Sequence, residues 1–166
     1  WSVVESLPVC ESIKYAGPDR DELIEKYKES LKNLGLEGVH TICYNFMPVL
    51  DWARTDLKHK WDDGSTSLYF DYASFAYFDI KILEREGAAK EFPAEIVAKV
   101  EEMDKTMTEE QKHELVNNII VKTQGFVNGN ISEGDKEPIR KFKGLLELYK
   151  GIDKDKIYRN VYNNYS

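Results

Sequence analysis

From Gly38 to Thr55 the chain runs GVHTICYNFMPVLDWART. Val39, Thr41, Ile42, Cys43 and Tyr44 form a short β-branched and aromatic run, with a glycine before it and Pro48 after it. That pattern predicts a strand, and its lack of alternation predicts a buried one. Past the strand, Asn45, Asp51, Trp52 and Arg54 crowd an amide, a carboxylate, an indole and a guanidinium into one short non-helical segment. Chemistry in parallel α/β proteins gathers where strands end at their carboxyl side, so this loop is the leading functional site.

Working back from it, residues 1–7, WSVVESL, predict a first short strand ending near Glu5 and closed by Pro8, and residues 9–18 a loop. Asp19 and Glu22 have the spacing of an N-terminal cap, and Leu23, Ile24, Tyr27, Leu31 and Leu34 follow on one helical face. Gly35 and Gly38 end that helix. Residues 1–45 therefore read as a strand-helix-strand crossover joining two parallel strands.

Working forward, residues 57–61 and 66–70 flank Asp62-Asp63-Gly64-Ser65, a hairpin signal. Phe75, Phe78, Ile82 and Leu83 mark a helix, and Pro93 opens another through Ile96, Val97, Val100 and Met103. Thr108 with Gln111 is a capping box ahead of Leu115, Val116, Ile119 and Ile120. Gly125, Gly129 and Gly134 lie in a polar stretch that reads as a loop, and residues 140–149 and 154–165 as two more helices, the last capped by Asp153. The division this predicts is a core at 1–55, a hairpin at 56–71, a mostly helical insertion at 72–150 and the start of a further helix at 151–166.

A net charge of −7 argues against nucleic-acid and anionic-membrane partners, which need clustered Lys and Arg. No apolar run approaches the length of about 18 residues that a membrane span needs. Cys10 and Cys43 have no CxxC spacing, so a disulfide framework is not expected, and a reducing, cytoplasmic setting fits. Trp1 and Ser166 each fall inside a predicted element, which reads as an internal fragment of a longer chain.

Each polar residue near the strand ends has a functional and a plain reading. Asn45 suits the hydroxyls of a polyhydroxylated substrate or satisfies its own turn. Arg54 offers a planar fork for a carboxylate or an ion pair with Asp51 or Asp56. Trp52 walls a sugar pocket or packs, and Asp51 holds a substrate hydroxyl or caps a turn. Glu5 is a functional carboxylate or half of a buried structural pair. Cys10 reads as a buried, inert thiol. His40, His59 and His113 stand at no metal-ligand spacing, and Tyr69, Phe70, Tyr72, Phe75, Tyr77 and Phe78 read as packing rather than a stacking surface.

The words CYNFMPVLDWARTDL at 43–57, VVESLPV at 3–9 and DGSTSLYFD at 63–71 resemble the mannonate dehydratase family, in the same order and at similar spacing, and LELYKGIDKDKIYRN at 146–160 extends the likeness. The resemblance implies part of a (β/α)8, or TIM, barrel, with the hairpin and helical insertion placed after the second strand. It implies a hydro-lyase of hexuronate catabolism that dehydrates D-mannonate to 2-keto-3-deoxy-D-gluconate with Mn2+ or Fe2+. The family's His, Cys and Asp metal ligands come from later strands, so no metal ligand is expected here and the fragment alone is expected to be inactive. Substrate contacts are implied for Asn45, Asp51, Trp52, Arg54 and Glu5. The implied partner is a small sugar acid, and a homo-oligomer is compatible with it. Where the family's word has His, this chain has Cys10. The competing readings are a metal-dependent sugar isomerase or epimerase on a similar barrel and a non-catalytic, acidic helical interaction module.

Overall fold

A computed structural model describes residues 1–5, 7–50, 52–123 and 136–165, with side chains described for 137–160 of the last segment. The chain divides into two compact units, Trp1–Val49 with Leu146–Ser166, and Leu50–Leu145.

In the first unit, β1 (Val3–Glu5) pairs in parallel with β2 (Thr41–Cys43), Val3 opposite Thr41 and Glu5 opposite Cys43. Parallel strands need a crossover, and α2 (Arg20–Leu36) supplies it. The half-buried positions of α2 include Leu23, Ile24, Tyr27, Leu31 and Leu34, the face its periodicity predicts. Its cap differs from expectation: Asp19 occupies the N-cap position, but its side chain accepts no capping hydrogen bond. Backbone bending at Asp19, φ −97° and ψ 8°, departs from the extended conformation that side-chain capping needs.

Two further expectations are corrected in this unit. Residues 9–18 contain a short helix, α1 (Glu11–Tyr15), which ends on Ala16 in the left-handed region. The strand at 41–43 is not buried, since Thr41 and Cys43 are exposed and Ile42 is half-buried. A parallel sheet is covered only when helices or further strands lie on its faces and edges, and this sheet has two strands among the described residues. The apolar interior is instead Val9, Ile13, Val39 and Val49, beside α1. The last helix, α7 (Lys154–Tyr165), begins as expected, with Asp153 accepting from the Lys156 N–H at 2.6 Å.

In the second unit, β3 (Asp56–Lys60) and β4 (Thr66–Tyr69) form an antiparallel hairpin, its turn carried by Gly64 at φ 84°. Asp71 caps α3 (Tyr72–Tyr77) by accepting from the Ser74 N–H at 2.6 Å, and a π-helical turn, Phe78–Ile82, continues it. Ala73, Ala76 and Tyr77 are buried, the i, i+3, i+4 stripe of a core-facing helix. Next come α4 (Ala94–Thr106) and α5 (Glu109–Val116), the latter opened by the predicted capping box between Thr108 and Gln111. A second π-helical turn, Asn117–Val121, follows, and α6 (Lys136–Leu148) places Phe142 against Phe78 with ring centroids 6.0 Å apart. Tyr77 and Phe78 are packing residues, as read, whereas Phe70 and Tyr72 are exposed. The predicted loop around Gly125, Gly129 and Gly134 lies outside the described residues.

Candidate functional site

Parallel pairing puts Glu5 opposite Cys43, so Glu5 and the half-buried Asn45 both stand at the carboxyl ends of paired strands. Glu5 is exposed in this chain, where water solvates its carboxylate. The chain past Asn45 is held by its backbone. Lys14 Nζ donates to the Met47 carbonyl at 3.1 Å, and the Val49 N–H donates to Glu11 Oε2 at 3.4 Å. Val49 has φ 64°, a left-handed conformation that a β-branched residue rarely adopts.

The two side chains that grip this segment also grip each other. Lys14 Nζ lies 2.6 Å from Glu11 Oε1, and Lys14 is only 7% exposed. Glu11 Oε2 also accepts from the Tyr149 hydroxyl, and Tyr149 packs edge-on to Tyr15 at 5.8 Å. Burial, and then the hydrogen bond to Glu11, push the Tyr149 hydroxyl well above the ordinary tyrosine range. The Asn160 amide donates to the Lys14 carbonyl at 3.1 Å, tying α7 to α1. Sequence reading missed this cluster. Its one local signal is the Glu11–Lys14 spacing, i to i+3, beside a buried Ile13.

Cys10 precedes α1 and is exposed, so the buried-thiol reading is wrong. It stands at the N-cap position of α1, three residues ahead of the buried Ile13.

In the second unit, Trp52 is 59% exposed and the Arg54 guanidinium lies over its ring, 5.8 Å from the centroid. Arg54 Nη1 donates to the Ala53 carbonyl at 2.8 Å, so the fork is folded back along its own strand of chain and stacked on the indole. The proposed structural partner Asp56 is engaged elsewhere, accepting from the Lys58 N–H at 2.8 Å and lying 3.4 Å from His59 Nδ1. Asp51 lies outside the described residues. An arginine stacked on an exposed indole presents a flat, cationic surface suited to a carboxylate on a polar, ring-bearing or extended ligand.

The same unit has a pocket of about 360 Å³ between the hairpin and helices α3 and α5, with Asp56, His59, Tyr69, Asp71, Gln111 and Asn118 among its lining residues. His59 stacks on Tyr69 at 4.1 Å and meets Trp61 edge-on at 4.8 Å. Most of the pocket's polar groups are committed to the fold: Asp71 caps α3, Gln111 completes the capping box, and buried Asn118 donates to the Thr55 carbonyl at 3.1 Å. Among the described residues, no three His, Cys, Asp or Glu side chains are grouped to hold a metal ion, and no helix is long and apolar enough to cross a membrane.

Comparison with known proteins gives these observations a family. Residues 1–164 match the family model described as D-mannonate dehydratase (UxuA). A mannonate dehydratase from Marinomonas sp. is 46% identical over 161 residues, covering 97% of this chain and 39% of its own length. A mannonate dehydratase from Saccharophagus degradans is 39% identical over 145 residues, covering 87% of this chain and 36% of its own length. The crystal structure of mannonate dehydratase from Streptococcus suis serotype 2 is 40% identical, with a TM-score of 0.43 over 71% of this chain and 32% of that one. The chain thus spans less than two fifths of the length of the curated relatives it matches. The chain belongs to the D-mannonate dehydratase family.

Proposed function

We propose that this chain is part of a longer D-mannonate dehydratase, a hydro-lyase of the cytoplasm that releases 2-keto-3-deoxy-D-gluconate from D-mannonate. The observation that carries the reading is the 46% identity to a mannonate dehydratase over 97% of this chain. In the longer protein, β1 and β2 are neighbouring strands of a (β/α)8 barrel, and their carboxyl ends face the substrate. A barrel also accounts for the exposed edges of a two-stranded parallel sheet, because closure gives each edge a partner.

Dehydration removes the proton beside the carboxylate and the hydroxyl on the next carbon; the enol left behind becomes the 2-keto acid. This chain contributes substrate positioning. Arg54 clamps the carboxylate, Trp52 forms the wall behind it, and Asn45, Asp51 and Glu5 hold hydroxyls. The described side chains do not fit a metal: they bring together no ligand set for the manganese or ferrous iron that the family reading implies. The family reading places those ligands on later strands of the longer protein.

The test is product identity. The full-length protein, supplied with manganese or ferrous iron, is offered D-mannonate and, separately, aldose and ketose sugars. A 2-keto-3-deoxy acid from D-mannonate alone is the expected result. Interconversion of aldose and ketose without loss of water would replace the dehydratase by an isomerase.

A further inference from the structure

We propose that Glu11, Lys14 and Tyr149 are positioning residues: a network around the buried Lys14 that clamps the backbone at Met47 and Val49 and so fixes where Asn45 presents its amide. The inference rests on the substrate-holding role given to Asn45 above. A buried ammonium needs a carboxylate partner, and Glu11 satisfies that need for Lys14. Each partner nevertheless makes a second bond to the same short piece of main chain. Lys14 reaches the Met47 carbonyl, and Glu11 reaches the Val49 N–H. Tyr149 donates to the Glu11 oxygen that accepts from Val49, holding that oxygen in place.

Val49 makes the clamp necessary. It is buried, β-branched and at φ 64°. Such a conformation is strained and persists only where the surroundings over-determine it. The surroundings here are the two bonds from α1. An ionic cross-link serving stability alone would have no reason to spend its second bonds on a strained segment just past a strand end. A neutral replacement of such a cross-link is often as stable as the original.

The experiment uses the full-length protein and D-mannonate. Tyr149→Phe keeps the ring and removes one donor, and the double variant Glu11→Gln with Lys14→Met removes both charges together. Each should lower kcat/KM by about fivefold or more. The loss should vanish when the same changes are made in an Asn45→Ala background. A purely structural network predicts the same loss in both backgrounds, and that result, or wild-type kcat/KM in Tyr149→Phe, overturns the proposal. Amide hydrogen exchange at Val49 reads the clamp without turnover: exchange should quicken in both variants, and unchanged exchange also overturns it. A wild-type protein without dehydratase activity but with clamped exchange would fail the functional reading and leave the clamp standing.

Discussion

Tyr149 donates its hydroxyl hydrogen bond to Glu11, a carboxylate 138 positions earlier in the chain. The contact joins the residue just past α6 to α1 and sits in the network that also holds Lys14 and the main chain at Val49. Glu11, Tyr15 and, through Glu11, Lys14 are the titratable groups around the phenol.

This contact sets an alkaline limit on stability. Burial and Glu11 raise the pKa of Tyr149 in the folded state, so above the ordinary tyrosine value of about 10 the unfolded chain releases a proton that the folded chain keeps. The folded state then binds more protons than the unfolded state, and stability falls as pH rises. Urea unfolding between about pH 8 and about pH 11 should show a shallower fall for Tyr149→Phe than for wild type. Some fall should remain, because burial and Asp104 also raise Tyr77. Parallel curves for the two proteins would contradict the assignment.

Arg85 guards a second buried charge. Its guanidinium donates to both oxygens of Asp79, which is 7% exposed, and to Glu91 at 2.8 Å. Arg85→Ala leaves the Asp79 carboxylate in the interior without its donor, and should cost about 2–3 kcal/mol in denaturant unfolding. Adding Asp79→Ala should recover part of that cost. A double variant less stable than wild type by the full sum of the two single losses would show that the two residues act separately.

Thr108 tests the start of α5. Its hydroxyl accepts from the Gln111 N–H at 3.2 Å, while the Gln111 side chain accepts from the Thr108 N–H at 2.9 Å. Thr108→Ala should cost about 1 kcal/mol and Thr108→Ser much less. Equal losses for the two would mean that the methyl group, not the cap, carries the stability.

Local signals were the legible part of the fold. The face of α2, the Gly64 hairpin and the Thr108 capping box each depend on residues within a few positions of one another, and all three are present. Helix α1 escaped because five residues are too few to show a period. The exposure of β2 escaped because an apolar run records what a strand can be covered by, not which covering strands the described chain contains. Cys10 was misread for the same reason, its apolar neighbours facing inward while it begins a helix. At the candidate site, the contact of the Arg54 guanidinium with the Trp52 ring was not read from the sequence, which paired Arg54 with a carboxylate. The Glu11–Tyr149 contact had no sequence signal, since nothing local links positions so far apart.

Arg54, proposed above to hold the carboxylate of D-mannonate, offers the most direct test. Release of 2-keto acid from D-mannonate is measured with manganese for the full-length protein and for Arg54→Ala, alongside thermal melting of both. Loss of a half-buried, stacked guanidinium should leave melting nearly unchanged, while misplacement of the carboxylate should lower kcat/KM by about a hundredfold. Equal kcat/KM in the two proteins would contradict the claim and return Arg54 to a structural role against Trp52.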